Sequence, residues 1–180
     1  MNPKSPSRRQ VLYVSLAGLS ATGCGGGSTS DRGLRFGSLA QASAELTALA
    51  SAKQRVAATG WNWAQTLHHC AQSIEYSMSG FPESKSRIFQ ATAGSVAFAL
   101  FEFRGRMTHD LMEPIPGAPA LDEKLDESQA LDRMRAAISA FARWQKDLHP
   151  HFAYGPLSKS QYELAHAMHL ANHLSYFRAG

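Results

Sequence analysis

The sequence predicts an all-α fold, a helical bundle, on three observations. From Ser38 onward, apolar residues return at three- and four-residue spacing almost without a break. Ser38 and Ser158 stand where helix caps belong, and Ser79-Gly-Phe-Pro82 stands where a helix must stop. No alternating strand pattern, internal repeat, Gly-rich phosphate loop or Cys-pair motif interrupts this reading. The chain has 180 residues, 44% of them hydrophobic, enough for one domain with its own core and an appendage.

The appendage comes first. Ser7-Arg-Arg-Gln-Val-Leu12 is a twin-arginine pattern, and the apolar run from Val11 to Thr22 is too short for a permanent membrane span. The run ends in Ala21-Thr-Gly-Cys24, close to the box at which bacterial lipoproteins are cut and acylated on cysteine. Ala21 departs from that box, where Leu is usual, so ordinary cleavage is the alternative. Residues 1–24 are therefore expected to be an export signal with lipidation at Cys24, and residues 25–37 a flexible linker opened by Gly25-Gly-Gly-Ser-Thr-Ser30. The expected destination is the periplasm, free or as a membrane-anchored lipoprotein. Three of the basic residues lie in 1–24 with no acid, leaving 15 basic against 14 acidic residues beyond it. That balance leaves no basic footprint for nucleic acid. Beyond Cys24 the only cysteine is Cys70, read as a small buried hydrophobe.

Within 38–180, Leu39, Ala42, Leu46 and Leu49 form the apolar side of a first helix. A second helix, from Trp61 to Met78, carries Trp63, Leu67, Cys70 and Ile74 on one face. Its other face holds Gln65, Thr66, His69, Gln72, Ser73 and Tyr76. A solvated face normally carries Lys, Glu and Arg, so this uncharged polar stripe reads as the wall of a polar cavity. Residues 84–104, with Ile88, Phe89, Val96, Phe98, Leu100 and Phe101, read as a buried bundle helix. Pro114-Ile-Pro-Gly-Ala-Pro119 lies in a long loop, 105–120, of a kind that is often functional; His109 could reach the site from it, with an exposed loop histidine as the favoured account. Residues 126–148 read as an amphipathic helix with Leu131, Met134, Ile138, Phe141 and Leu148 inward and Asp132, Arg133, Arg143, Lys146 and Asp147 in water. Pro150 to Pro156 is a turn, in which His151 is a turn residue that could also line a cavity mouth.

The last segment, 158–178, reads as one helix with a capping box from Ser158 to Gln161. His166, His169 and His173 share one stripe of it. Charge is confined to its ends, so the imidazoles are expected to be buried and to need partners. His169 and His173, one turn apart, have the spacing that lets two ring nitrogens reach one metal ion. A third ligand must come from elsewhere. His69 is central to the polar stripe, and spacing leaves His68 open.

With these residues in view, the chain resembles the DinB/YfiT-like superfamily of metal-dependent helical bundles, in particular an uncharacterised branch often carrying a twin-arginine signal. The resemblance rests on His69-Cys-Ala-Gln-Ser-Ile-Glu-Tyr76 with Gly80-Phe-Pro82, on Pro114–Pro119, on His151-Phe-Ala-Tyr-Gly155 and on His166-Ala-Met-His-Leu-Ala-Asn-His173. It implies a DinB-like four-helix bundle with an additional helix and a long Pro-rich loop. It implies a divalent metal on His69, His169 and His173, with His166 beside the ligands rather than among them. It further implies a homodimer, as such bundles frequently form.

Zn²⁺ or Ni²⁺ suits imidazole ligands, and Fe²⁺ is also compatible. Three imidazoles leave a coordination position open, as catalytic rather than structural sites do. Gln72, Tyr76, His166 and His151 are candidates to line the cavity or orient ligands and substrate. The expected activity is that of a metal-dependent hydrolase or transferase on a small molecule, the resemblance implying thiol-type transfer. Its rivals are a non-catalytic envelope lipoprotein that binds a metal or small ligand, and a bundle whose histidines merely satisfy one another.

Overall fold

The computed structural model describes residues 31–57 and 60–180. The twin-arginine pattern, Cys24 and residues 25–30 of the expected linker lie outside the described residues. Helices dominate: α1 (Leu39–Ala50), α2 (Trp63–Ser79), α3 (Arg87–Phe89), α4 (Ser95–Arg104), α5 (Glu127–Arg143) and α6 (Lys159–Leu174). One π turn, Gln90–Gly94, joins α3 to α4. The all-α reading holds with one small addition, an antiparallel ribbon of β1 (Arg55–Ala57) and β2 (Phe177–Ala179). Three-residue strands are too short to print an alternating pattern.

Local sequence accounts for where most helices begin. Ser38, Asn62, Asp126 and Ser158 each accept, through the side chain, the amide three residues on. Asn62–Gln65 and Ser158–Gln161 complete capping boxes. The core lies where α2 meets α5 and α6 and α1 crosses behind α6. Leu46, Leu67, Ile74, Met134, Phe141, Tyr162, Leu170 and Leu174 are buried there. Burying each such side chain contributes about 1.5–3 kcal/mol before entropy is counted.

Three expectations are corrected. The helix expected over 126–148 ends at Arg143, because the ammonium of Lys159 takes the carbonyls of Ala142 and Trp144 and the chain then leaves the axis. The last helix stops at Leu174 rather than running to Arg178, and Phe177–Ala179 pairs with β1 instead. The helical stretch through residues 87–104 is not buried: only Gly94 and Phe98 are enclosed, while Ile88 (78%), Val96 (68%) and Phe103 (89%) stand in solvent. That stretch is apolar nearly all round, so periodicity could not say which edge would dock. Phe98 is the edge that does, against Met107, Ala165 and Met168.

The described part of the expected linker is tied to the bundle. Arg32 N–H donates to Ser175 O, Leu34 N–H donates to Ser175 Oγ, and Phe36 is buried. The folded unit thus includes residues N-terminal to Ser38.

Candidate metal centre

His69 comes from the middle of α2, and His169 and His173 come from successive turns of α6. Packing α2 on α6 brings the three rings together. Their centroids are 4.7–5.0 Å apart. His169 Nε2 stands 3.1 Å from His69 Nε2 and 3.1 Å from His173 Nε2. Two nitrogens bound tetrahedrally to one ion at about 2.0–2.1 Å stand about 3.3–3.4 Å apart, so the spacing is close to that of a shared ligand set. All three rings are buried, and these three residues form a group able to hold a metal ion.

Hydrogen-bond arithmetic argues against histidines that only satisfy one another. A ring nitrogen offers either one N–H or one in-plane lone pair. His169 Nε2 cannot serve two neighbouring nitrogens at once with good geometry. A single cation would use all three lone pairs. Burial, together with the neighbouring imidazoles, holds His169 and His173 well below their ordinary pKa of 6.5, and burial brings His69 down to about 3. Neutral imidazole is the form that binds metals. The indole of Trp61 covers the cluster, 4.9 Å from the His69 ring and parallel to His173 at 6.2 Å.

His68, which spacing left open, faces the other way. It pairs with Arg133, whose guanidinium also makes a two-pronged ion pair with Glu75, 2.9 and 2.5 Å. Arg133 therefore bridges α5 to α2 instead of standing simply in water. Cys70 is buried in the core, which pushes its thiol up and keeps it protonated.

A cavity of about 210 Å³ opens beside the cluster. His69 and His169 form its inner end, Met107, Ile115, Phe152, Tyr154 and Ala165 its apolar wall, and the exposed Lys85 and Glu113 its rim. His166 lines it without joining the three rings: Ser77 Oγ donates to Ile74 O, so His166 Nε2–H donates to Ser77 Oγ at 3.3 Å. Tyr162 stacks on that imidazole. His151 also lines the cavity, and it is a turn residue as well. It closes a bridge with Gly155, whose φ of +78° favours glycine. His151 Nδ1 accepts the amides of Ala153 and Tyr154 at 3.1 and 3.2 Å, which puts its proton on Nε2. Of the other two candidates, Gln72 is buried and Tyr76 packs on Phe81, and the cavity lining contains Ser73 in their place.

Of the two alternatives for His109, the structure gives the one that reaches the site and not the favoured exposed position. Its ring is 5.0 Å from His169 and 5.1 Å from His173, and its Nε2 is buried. The loop is pulled inward by its own apolar residues, Met107 and Ile115, which are buried. Those two side chains were the available signal in a segment otherwise marked as surface by its prolines.

A family model described as "Protein of unknown function (DUF1569)" matches residues 28–179. No curated protein matches. No solved structure matches. Nothing in these comparisons ties the family to the DinB-like superfamily. The matched span takes in α1 through α6, the three-histidine cluster and the cavity, and the chain belongs to the DUF1569 family.

Proposed function

We propose that this chain is an exported, DinB-like, divalent-metal-binding bundle that acts on a small molecule as a metal-dependent hydrolase or thiol-type transferase. The observation that carries the reading is the convergence of three buried, neutral Nε2 atoms beside a cavity. His69, His169 and His173 would hold Zn²⁺, Ni²⁺ or Fe²⁺. Such an ion, when bound, lowers the pKa of a coordinated water or thiol toward neutrality and polarises a substrate oxygen.

The chain's own groups divide the remaining work. Trp61 keeps bulk water from the back of the cluster. Met107, Ile115 and Tyr154 give the cavity an apolar wall suited to a small organic body. His151 Nε2 is a donor, and His166 Nδ1 keeps its lone pair. His151 and His166 are both held at about 3 by burial, so at neutral pH they orient ligands as neutral groups and do not store a proton. Cys70 is excluded as a nucleophile by its burial.

Elemental analysis of purified protein beside His169→Ala tests the metal. About one equivalent in the parent and at least a tenfold lower content in the variant is expected; absence from both would remove the proposal. A second reading, a non-catalytic envelope lipoprotein that binds metal or ligand, is favoured by the cavity's one lining carboxylate, Glu113, standing exposed at the rim. A screen of metal-loaded protein in hydrolysis and thiol-transfer assays separates the two, inactivity throughout favouring binding.

A further inference from the structure

The geometry points to a fourth nitrogen for this centre: we propose that His109 Nε2 ligates the same ion as His69, His169 and His173, carried to it by the 105–126 loop. The inference rests on the three-histidine reading and extends it to a residue of different origin; a water or thiol would then enter by displacing His109 or as a fifth ligand. Four observations support it.

The His109 ring stands 5.0 and 5.1 Å from the rings of His169 and His173, which nearly equals the 4.7–5.0 Å separating the three cluster rings from one another. Its Nδ1 is 2.7 Å from the Asp110 carbonyl. A carbonyl can only accept, so the proton is on Nδ1 and Nε2 is a bare lone pair. This N–H to carbonyl bond is the pattern that fixes the tautomer of metal-binding histidines. Next, His109 Nε2 is buried and has no hydrogen-bond partner among the described residues. An orphaned buried acceptor costs about 1–3 kcal/mol, and a cation within reach removes that cost. Finally, the loop is fastened at this point. Asn172, on α6 beside His173, donates from Nδ2 to His109 O at 3.4 Å, and Met107 and Ile115 are sunk on either side.

The three cluster nitrogens form the tight group, and His109 Nε2 stands outside it. Ligation therefore draws the ring inward and makes the loop's order depend on the ion. This separates His109 from a residue that merely faces the cavity.

The test uses the full chain, with Zn²⁺ affinity from chelator competition and Co²⁺ absorption as the spectroscopic probe. His109→Ala is expected to weaken Zn²⁺ binding by at least about tenfold and to alter the Co²⁺ spectrum, with millimolar imidazole restoring both. Hydrogen exchange is expected to show Zn²⁺-dependent protection of residues 105–120 in the parent and none in His109→Ala. His68→Ala, on the far face of α2, is expected to match the parent, and far-UV circular dichroism confirms that each variant is folded. If the parent and His109→Ala share one affinity and one Co²⁺ spectrum while His169→Ala fails to bind, His109 is not a ligand. If the parent itself binds neither ion, the three-histidine reading fails first and this inference falls with it.

Discussion

His151 and His166 are the two imidazoles outside the cluster that the fold encloses most completely, and both are kept neutral. Burial brings each from 6.5 to about 3, so the unfolded chain takes up these protons as pH falls through 6.5 while the folded chain resists until about 3. Stability is therefore unaffected by them above about pH 7 and lost progressively below it. The cluster imidazoles and His109 shift in the same direction. Urea unfolding of chelator-treated protein is expected to show a loss on the order of 1–2 kcal/mol per enclosed imidazole between pH 7 and pH 5, with His151→Gln flattening the slope. Gly94 gives a second prediction on this scale. A Cβ there would meet Ala153 O at 1.9 Å, and that carbonyl belongs to the turn that holds His151. Gly94→Ala is expected to destabilise the fold by about 1–3 kcal/mol in the same assay, since the clash is with backbone.

Among elements, α4 shows how a helix can be apolar without being interior. Phe98 is 4% exposed and Phe103 is 89% exposed, five residues apart on one helix. Phe98→Ala is expected to cost about 3–5 kcal/mol, whereas Phe103→Ala should stay within about 0.5 kcal/mol. Thermal and urea midpoints of the two variants provide the comparison, and equal costs would mean that the outer stripe is covered. The same helix marks the limit of what could be read in advance. The starts of α1 and α6 were legible because a cap is a local bond between residues three apart. The pairing of His169 with His173 was legible because one helix supplies both. The orientation of α4 depends on which neighbour arrives, and the end of α5 depends on a lysine from α6, sixteen positions beyond Arg143. His109 stayed undecided for a related reason: a loop's depth is set by what it packs against, here Phe98 and Asn172, and proline content is silent on that.

At the scale of the molecule, the beginning and end of the described chain meet. Arg32 and Leu34 bond to Ser175, Arg32 also reaches Glu45 and Phe177 O, and β1 lies along β2. Ser175 is two residues from His173, so this seam of long-range contacts closes beside the candidate centre. An ion shared by α2 and α6 would fasten helices that the sequence separates by 100 positions. Zn²⁺ at a thousandfold excess over its dissociation constant is expected to raise stability by about 4 kcal/mol, measured as an upward shift in Tm that His169→Ala abolishes.

Cys70 follows His69 directly on α2 and is fully enclosed by the core. In a Cys24→Ser background it would be the sole thiol, silent toward maleimide until the bundle opens. Its labelling half-time would then be a clock for global opening, read without any chromophore at the centre, and divalent ions should slow that clock in step with their occupancy.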